Sequence, residues 1–359
     1  MSIKRAVFLP ELRPYFLENL VEFAPLEIFW VKQMYMEGVE LARDFGGFEQ
    51  DRLSSPWQSF RVGLALDADE LVMPEPFWFR QYPTAAPFLL GVRLGDLRKR
   101  KHTRIGTYCI DNALPEKLLK LPERIPAPVR TRLARLVSAP YIWMLDVFVF
   151  GTSGARKTYV ETTKKDFHNA ETVLPRPLPR PGWDAPKDRK KFAFVGSLRA
   201  EKGIELMLKA WEEIAKRRAD LSLVIAGVGE LAPMVRQWAQ TQPTVTFIEG
   251  ATRTEVFDIL DTTGCHVQLS MPGVRSREQV GSSNLEALSC GHRLIVTTET
   301  GIADWLSELG HGVVSIHATP SEVADVIEQF ADDPTWKTPD STFGIEDGYT
   351  AAHRVLFDE

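Results

Sequence analysis

The chain has 359 residues, with 43 Lys plus Arg against 48 Asp plus Glu, a formal net charge of −5, 44% apolar and 10% aromatic residues. These values exclude collagen-like, disulfide-scaffold and wholly disordered chains, and the length sets an expectation of two globular domains. Cys109, Cys265 and Cys290, far apart and odd in number, form neither a disulfide framework nor a zinc ligand set and imply buried thiols in a reducing cytoplasm.

The opening MSIKRAVFLPEL carries too short an apolar stretch for a secretory signal. The longest apolar run, 141–150, is broken by Asp146 and is half the length of a membrane span. Strand candidates in the first half fall at residues 6–9, 26–31, 71–74, 105–110 and 147–150. Asp67 and Asp69 form a D-x-D pair of the kind that holds a divalent cation. Such pairs end a strand, whereas here the clear strand follows, so a helix end and turn is expected. Between residues 93 and 135 there are twelve basic residues against four acidic ones. That stretch is either the solvated face of two helices or a basic surface for a phosphate-bearing partner, an anionic membrane or a nucleic acid.

Residues 171–191 are rich in proline and charge, the composition of a stiff linker. Beyond them, short apolar runs at 192–195, 221–226, 245–248, 265–269, 294–297 and 312–316 alternate with helical periodicity such as Ile204, Leu208, Trp211 and Ile214. Unbroken short strands alternating with helices mean βα units around a parallel sheet covered on both faces. The expected division is an N-terminal α/β domain at 1–180 and a C-terminal α/β domain at 181–335. A tail at 336–359 carries a final helix that can pack back on the first domain. Two such domains imply a cleft lined by strand carboxyl ends and helix N-termini.

Three motifs follow in the second half. FVGSLRAEKG places Arg199 and Lys202 after a turn at Gly196; two cations there can neutralise a diphosphate leaving group, or they are simply solvated. Gly227, Gly229 and Ala232, with Glu249 closing the next strand, fit the dinucleotide fingerprint, but in the second βα unit, where a plain strand-to-helix turn is expected. Residues 277–298 set Glu278 and Glu286 eight apart around Gly281, Ser282, Ser283 and Asn284. The glutamate spacing alone is common in a chain this rich in glutamate. The context adds that Gly281 permits close approach of a ligand, and that the three capping-type residues leave a helix N-terminus ready for phosphate. Cys290 and Gly291 then close that helix.

Taken in order, these segments resemble the C-terminal, donor-binding domain of glycosyltransferase family 4, retaining enzymes of the GT-B fold with two Rossmann-like domains. The resemblance runs over residues 192–330 and includes TGIADWL and HGVVSIHATPSEVADVIEQF. It implies that Glu278 contacts the donor sugar and its reacting end, and Glu286 the ribose hydroxyls. It further implies that the backbone at Gly196, Ser197, Gly227 and 281–284 lines the donor, and that Lys202 stabilises the departing nucleoside diphosphate. The family's arginine directly after the glycine is here Ser197, so Arg199 replaces it or leaving-group stabilisation is weaker. The first half departs further: LPELRPYF stands in place of a glycine-rich loop. There Glu11 and Arg13 would face the acceptor, and YCIDN offers Asp111 and Asn112 where the family often has His.

The resemblance thus implies a metal-independent hexosyltransferase with no cofactor. Its donor is a nucleotide-sugar of unassigned base, its acceptor a sugar or lipid-linked hydroxyl, and its context bacterial surface polysaccharide or glycolipid synthesis. The expected location is cytoplasmic, with peripheral membrane contact through 93–135. Open alternatives are transfer to modified DNA, an NAD(P) oxidoreductase built on Gly227 and Gly229, and a catalytically silent sugar-nucleotide binder.

Overall fold

The computed structural model describes residues 3–33, 47–111, 113–119, 121–122, 124–273 and 277–358. Asn112, and Lys120 and Glu123 of the basic stretch, lie outside the described residues. The chain divides into unit 1, 1–175 with 347–359, and unit 2, 176–346. The divisions fall at 175/176 and 346/347, where sequence alone placed 180/181 and 335/336.

Unit 1 contains β1 Arg5–Leu12, β2 Leu26–Gln33, β3 Phe48–Arg52, β4 Glu70–Met73, β5 Arg104–Cys109, β6 Val147–Phe150 and β7 Glu171–Thr172, in spatial order 3-2-1-4-5-6-7. Neighbouring strands pair in parallel; Val7, for example, lies opposite Ile28 on one side and Val72 on the other. Unit 2 contains β8 Lys191–Val195, β9 Ser222–Gly227, β10 Val245–Glu249, β11 Cys265–Gln268, β12 Arg293–Thr297 and β13 Gly312–Val314, in order 10-9-8-11-12-13. Both are doubly wound sheets whose direction of winding reverses beside the first strand, so each has a switch point, at β1/β4 and at β8/β11.

Helices cover both faces of the central strands, so β4 and all but the first residue of β8 are buried. β3 escaped sequence reading because FEQDR is a polar edge strand without an apolar run, mostly exposed. The helix Ile204–Arg217 buries Ile204, Leu208, Trp211 and Ile214 against the unit 2 sheet and packs on the helix Pro320–Asp332. Thr252 with Glu255 and Thr319 with Glu322 form reciprocal capping boxes that fix two helix starts. Each such N-cap stabilises its helix by about 1 kcal/mol.

The final helix, Gly348–Leu356, belongs to unit 1. Ala352, Leu356 and Phe357 join Val7, Leu26 and Tyr108 in its core, and Arg104 donates to the Leu356 carbonyl. Gly106 faces this helix closely: a Cβ on it would lie 2.6 Å from Leu356 Cδ2, so that side chain would have to shift.

Candidate functional site

The C-terminal edge of unit 2, at its switch point, gathers most of the residues singled out above. β8 ends at Val195 and turns through Gly196, whose φ of +150° brings it beside the helix Ser282–Ser289; a Cβ on Gly196 would lie 3.8 Å from Ser283 Oγ. The chain then runs through the exposed Arg199 to Lys202. Gly203, at φ +70°, packs its backbone on the Leu269 carbonyl after β11, and Met271 N–H donates to the Glu201 carbonyl at 2.9 Å. The two loops are thereby locked together.

Lys202 Nζ forms an ion pair with Glu278 Oε2, and both side chains are largely shielded, 28% and 11% exposed. The same oxygen accepts from Gln268 Nε2 at 3.1 Å and Ser270 Oγ at 2.9 Å. Ser283 Oγ donates to Gln268 Oε1 at 2.6 Å, which turns the amide so that its NH2 faces Glu278. Three donors on Oε2 leave Oε1 to accept from a ligand hydroxyl. Around this carboxylate the loop is braced twice: Gly301 N–H donates to the Glu278 carbonyl at 3.0 Å, and Arg277 makes a two-point pair with Glu299 at 3.0 and 3.2 Å. Glu299 is only 4% exposed, which makes the brace rigid.

The helix start differs from the sequence expectation. Gly281, at φ +80°, occupies the N-cap, so Ser282, Ser283 and Asn284 are the first three helical residues and not caps. Ser283 is drawn to Gln268, while Asn284 Nδ2 donates back to the Val280 carbonyl at 2.9 Å. No side chain caps the helix; Asn284 N–H donates to the Gly281 carbonyl at 3.0 Å, and the amides of Ser282 and Ser283 remain available to an anion beside Gly196. Cys290 ends the helix and Gly291, at φ +78°, follows.

Glu286 lies on the same helix, half-buried. Burial pushes its carboxyl up, and nearby Arg253 and Arg180 oppose the shift. Arg180 is stacked 3.7 Å from the centre of the Phe257 ring. His266, two residues before Gln268 on β11, is fully buried and pushed down to about 3 by desolvation, so it brings no charge to the site at neutral pH.

Gly227 and Gly229 have a structural explanation that needs no dinucleotide. A Cβ on Gly227 would meet the Gly196 carbonyl oxygen at 1.8 Å, and one on Gly229 the Leu198 oxygen at 2.4 Å. Glu249, the acidic residue of that fingerprint, ends edge strand β10 and pairs with Arg236.

In unit 1, Glu11 ends β1 with Arg13 just beyond; Glu11 pairs with Arg13 and with Arg80 at 3.4 Å. Asp111 follows β5 at the same edge, 6% exposed, and its carboxylate accepts from Ala113 N–H at 2.7 Å and Trp78 Nε1 at 3.2 Å. Asp67 and Asp69 lie at the opposite edge, before β4, where Asp67 pairs with Lys4 at 2.6 Å and Lys101 at 2.9 Å. The helix Pro56–Ala65 ends just before them, as the position of the strand implied. Among the described residues, no three His, Cys, Asp or Glu come together as a metal ligand set.

Gln268, Ser270 and Glu299 were missed in the sequence. The available signal was the alternation in CHVQLS, which puts His266, Gln268 and Ser270 on one face of a central strand, against its otherwise apolar character.

Residues 176–342 match the family model described as glycosyl transferases group 1. The match takes in nearly all of unit 2. An alpha-D-kanosaminyltransferase from Streptomyces kanamyceticus is 29% identical over 150 residues. That alignment spans 41% of this chain and 38% of the relative, well short of its whole length. Anabaena Alr3699/HepE, solved in complex with UDP, superposes with a TM-score of 0.64 at 9% identity, covering 99% of this chain and 95% of that one. The lipopolysaccharide outer core galactosyltransferase WaaB gives 0.62 at 12% identity, with 99% of both chains covered. Together with the two parallel sheets, these likenesses establish the GT-B fold class. The segment that matches the group 1 model thus holds the switch point that carries the Lys202–Glu278 pair.

Proposed function

We propose that the protein is a retaining, metal-independent hexosyltransferase that moves a sugar from a nucleotide-diphosphate sugar, UDP-linked, to an acceptor hydroxyl. The observation that carries this reading is the braced Lys202–Glu278 pair beside a helix N-terminus without a side-chain cap. The cation and the first-turn amides suit a diphosphate, and the free Glu278 Oε1 suits a sugar hydroxyl. The binding of UDP by HepE supports uridine as the base, and WaaB supports a bacterial surface polysaccharide or glycolipid as the product. Glu286 would accept from the ribose hydroxyls, while Glu11, Arg13 and Asp111 would serve the acceptor at the edge of unit 1.

In the reaction, the bond from the anomeric carbon to the β-phosphate oxygen breaks and a bond to the acceptor oxygen forms on the same face. The acceptor proton passes to the departing phosphate, so no protein nucleophile is required. Lys202 compensates the charge that develops there, a task that a divalent ion performs in other enzymes, and the donor is a substrate with no cofactor beside it. Ser197 in place of the family's arginine, with Arg199 exposed, favours one second reading, a domain that binds the donor without transferring it.

The test is a thermal-shift panel of UDP, GDP, ADP, dTDP, their sugar conjugates and NAD(P), with and without EDTA, followed by a transfer assay. UDP and one UDP-sugar should stabilise the protein irrespective of EDTA, and Glu286→Ala should abolish the effect. Lys202→Ala should lower kcat roughly a hundredfold or more, as expected for one preorganised charge contact. Stabilisation by NAD(P) alone would sink the proposal; UDP binding without any transfer would establish the silent binder.

A further inference from the structure

The basic stretch 93–135 resolves into two kinds of cation. Arg93 donates to the Met144 carbonyl at 3.0 Å and pairs with Asp146 at 2.7 Å, and Lys99 donates to the Ala65 carbonyl at 2.8 Å. Lys101 pairs with Asp67, and Arg104 donates to the Leu356 carbonyl. Those four charges are spent inside unit 1. Arg98, Arg100, Arg132 and Arg135 are exposed.

The second observation is apolar. The helix Ala127–Trp143 buries Ala134, Ser138, Tyr141 and Ile142 on its core side. Its opposite side leaves Val129, Leu133, Leu136, Val137 and Trp143 exposed by 43%, 37%, 68%, 42% and 85%. At 100° per residue these five fall within an arc of roughly 120°, with Arg132 and Arg135 on one flank and Arg130 on the other. No Asp or Glu occurs from residue 124 to 143.

The neighbouring helix, Tyr82–Lys99, repeats the pattern: Leu90, Leu94 and Leu97 are exposed by 46%, 41% and 75%. The two are joined by a Tyr82–Tyr141 ring stack at 5.2 Å. They lie on one face of the sheet, because the crossovers from β4 to β5 and from β5 to β6 step in the same direction and share one hand. Beside the stripe opens a groove of about 290 Å³ lined by Arg135, Ala139, Ile142, Trp143, Thr163 and Lys165.

We propose that the outward face of helix 127–143, with helix 82–99 beside it, docks on an anionic lipid surface. The apolar stripe enters the acyl boundary, the flanking arginines engage phosphate headgroups, and the groove takes one headgroup with the start of its chain. A surface helix needs one apolar face for its core; a second, turned to solvent and edged with arginine, is the pattern of an interfacial helix. Nucleic acid would use the arginines but leave the stripe in water. A symmetric pairing of two copies would cover the stripe but bring like-charged flanks together. No helix among the described residues is long and apolar enough to cross a membrane, so this contact would be peripheral. The inference is independent of sugar transfer, since the face lies wholly in unit 1 and its test reads binding.

The test is co-sedimentation of the full chain with vesicles of phosphatidylcholine, alone or containing phosphatidylglycerol. Binding is expected to the phosphatidylglycerol vesicles and to weaken with salt. The affinity should fall by about tenfold or more in Arg132→Gln/Arg135→Gln and again in Leu136→Glu/Trp143→Glu. Both double variants alter exposed positions, and unchanged circular dichroism and thermal midpoint would show them folded. Three results would overturn the proposal. One is equal binding to neutral vesicles. Another is no vesicle binding together with a dimer that Leu136→Glu/Trp143→Glu dissolves. The third is duplex DNA binding that survives loss of the stripe while vesicles fail to bind.

Discussion

Glu75 follows β4 and is 4% exposed; its carboxylate oxygens accept from Asp111 N–H at 3.2 and 3.3 Å and from the Tyr159 hydroxyl at 3.4 Å. Burial, and then the neighbouring Asp111 carboxylate, push its pKa well above the usual carboxylate range. Because the folded value exceeds the unfolded one near 4.5, holding Glu75 neutral costs nothing in acid. Stability is lost as pH rises from about 4.5 toward the folded value. Glu75→Gln, which keeps a neutral acceptor at the same place, should therefore raise the thermal midpoint by several degrees at pH 8 and change it little at pH 4.5. A variant that is less stable than the parent at both values would show that the ionised form is the one the fold prefers. The donor-side residues tell the complementary story about legibility. Lys202, Glu278 and Glu286 could be picked out because their segments, taken in order, resemble those of a known family. Gln268 and Ser283, whose contact aims the amide at Glu278, are ordinary polar residues until the fold brings them within 2.6 Å.

Among the elements, the turn from β8 into the helix Ile204–Arg217 carries the most constraint. Gly203 has φ +70°, a region that L side chains rarely enter, and a Cβ there would stand 1.7 Å from the Leu269 carbonyl oxygen. Gly203→Ala should destabilise the protein by roughly 2–4 kcal/mol, the sum of left-handed strain and displaced backbone, visible as a lower calorimetric midpoint. It should also weaken stabilisation by UDP, because the same turn aims Lys202; an intact midpoint would mean that the loop relaxes at no cost. The βα alternation of unit 2 was readable because its strands are short, mostly apolar runs separated by segments of helical periodicity. The edge strands β3 and β7 were not. A strand with one free edge needs little apolar side chain, and β7 has only two residues.

For the molecule as a whole, the chain leaves unit 1 at Pro175 and returns to it at Asp347. Asp347 accepts from the Tyr15 hydroxyl at 3.2 Å, Thr350 donates to the Asn19 carbonyl at 3.2 Å, and Phe357 packs on Phe23 at 5.2 Å. Removing residues 347–359 should therefore loosen the sheet of unit 1 and leave unit 2 folded. Hydrogen exchange would show this as lost amide protection across 5–150 with protection retained across 191–332, and uniform retention would contradict it. Composition and the alternation of short apolar runs with helical periodicity were sufficient to give two α/β units, and the glycine-punctuated motifs carried the resemblance that singled out the residues now found at one edge of unit 2, because those patterns are local. Two features were decided only by tertiary structure: the sorting of the basic stretch into spent and outward cations, and the network on one oxygen of Glu278. Each depends on which distant residues the sheets bring within a few ångströms, and spacing along one chain does not encode that distance.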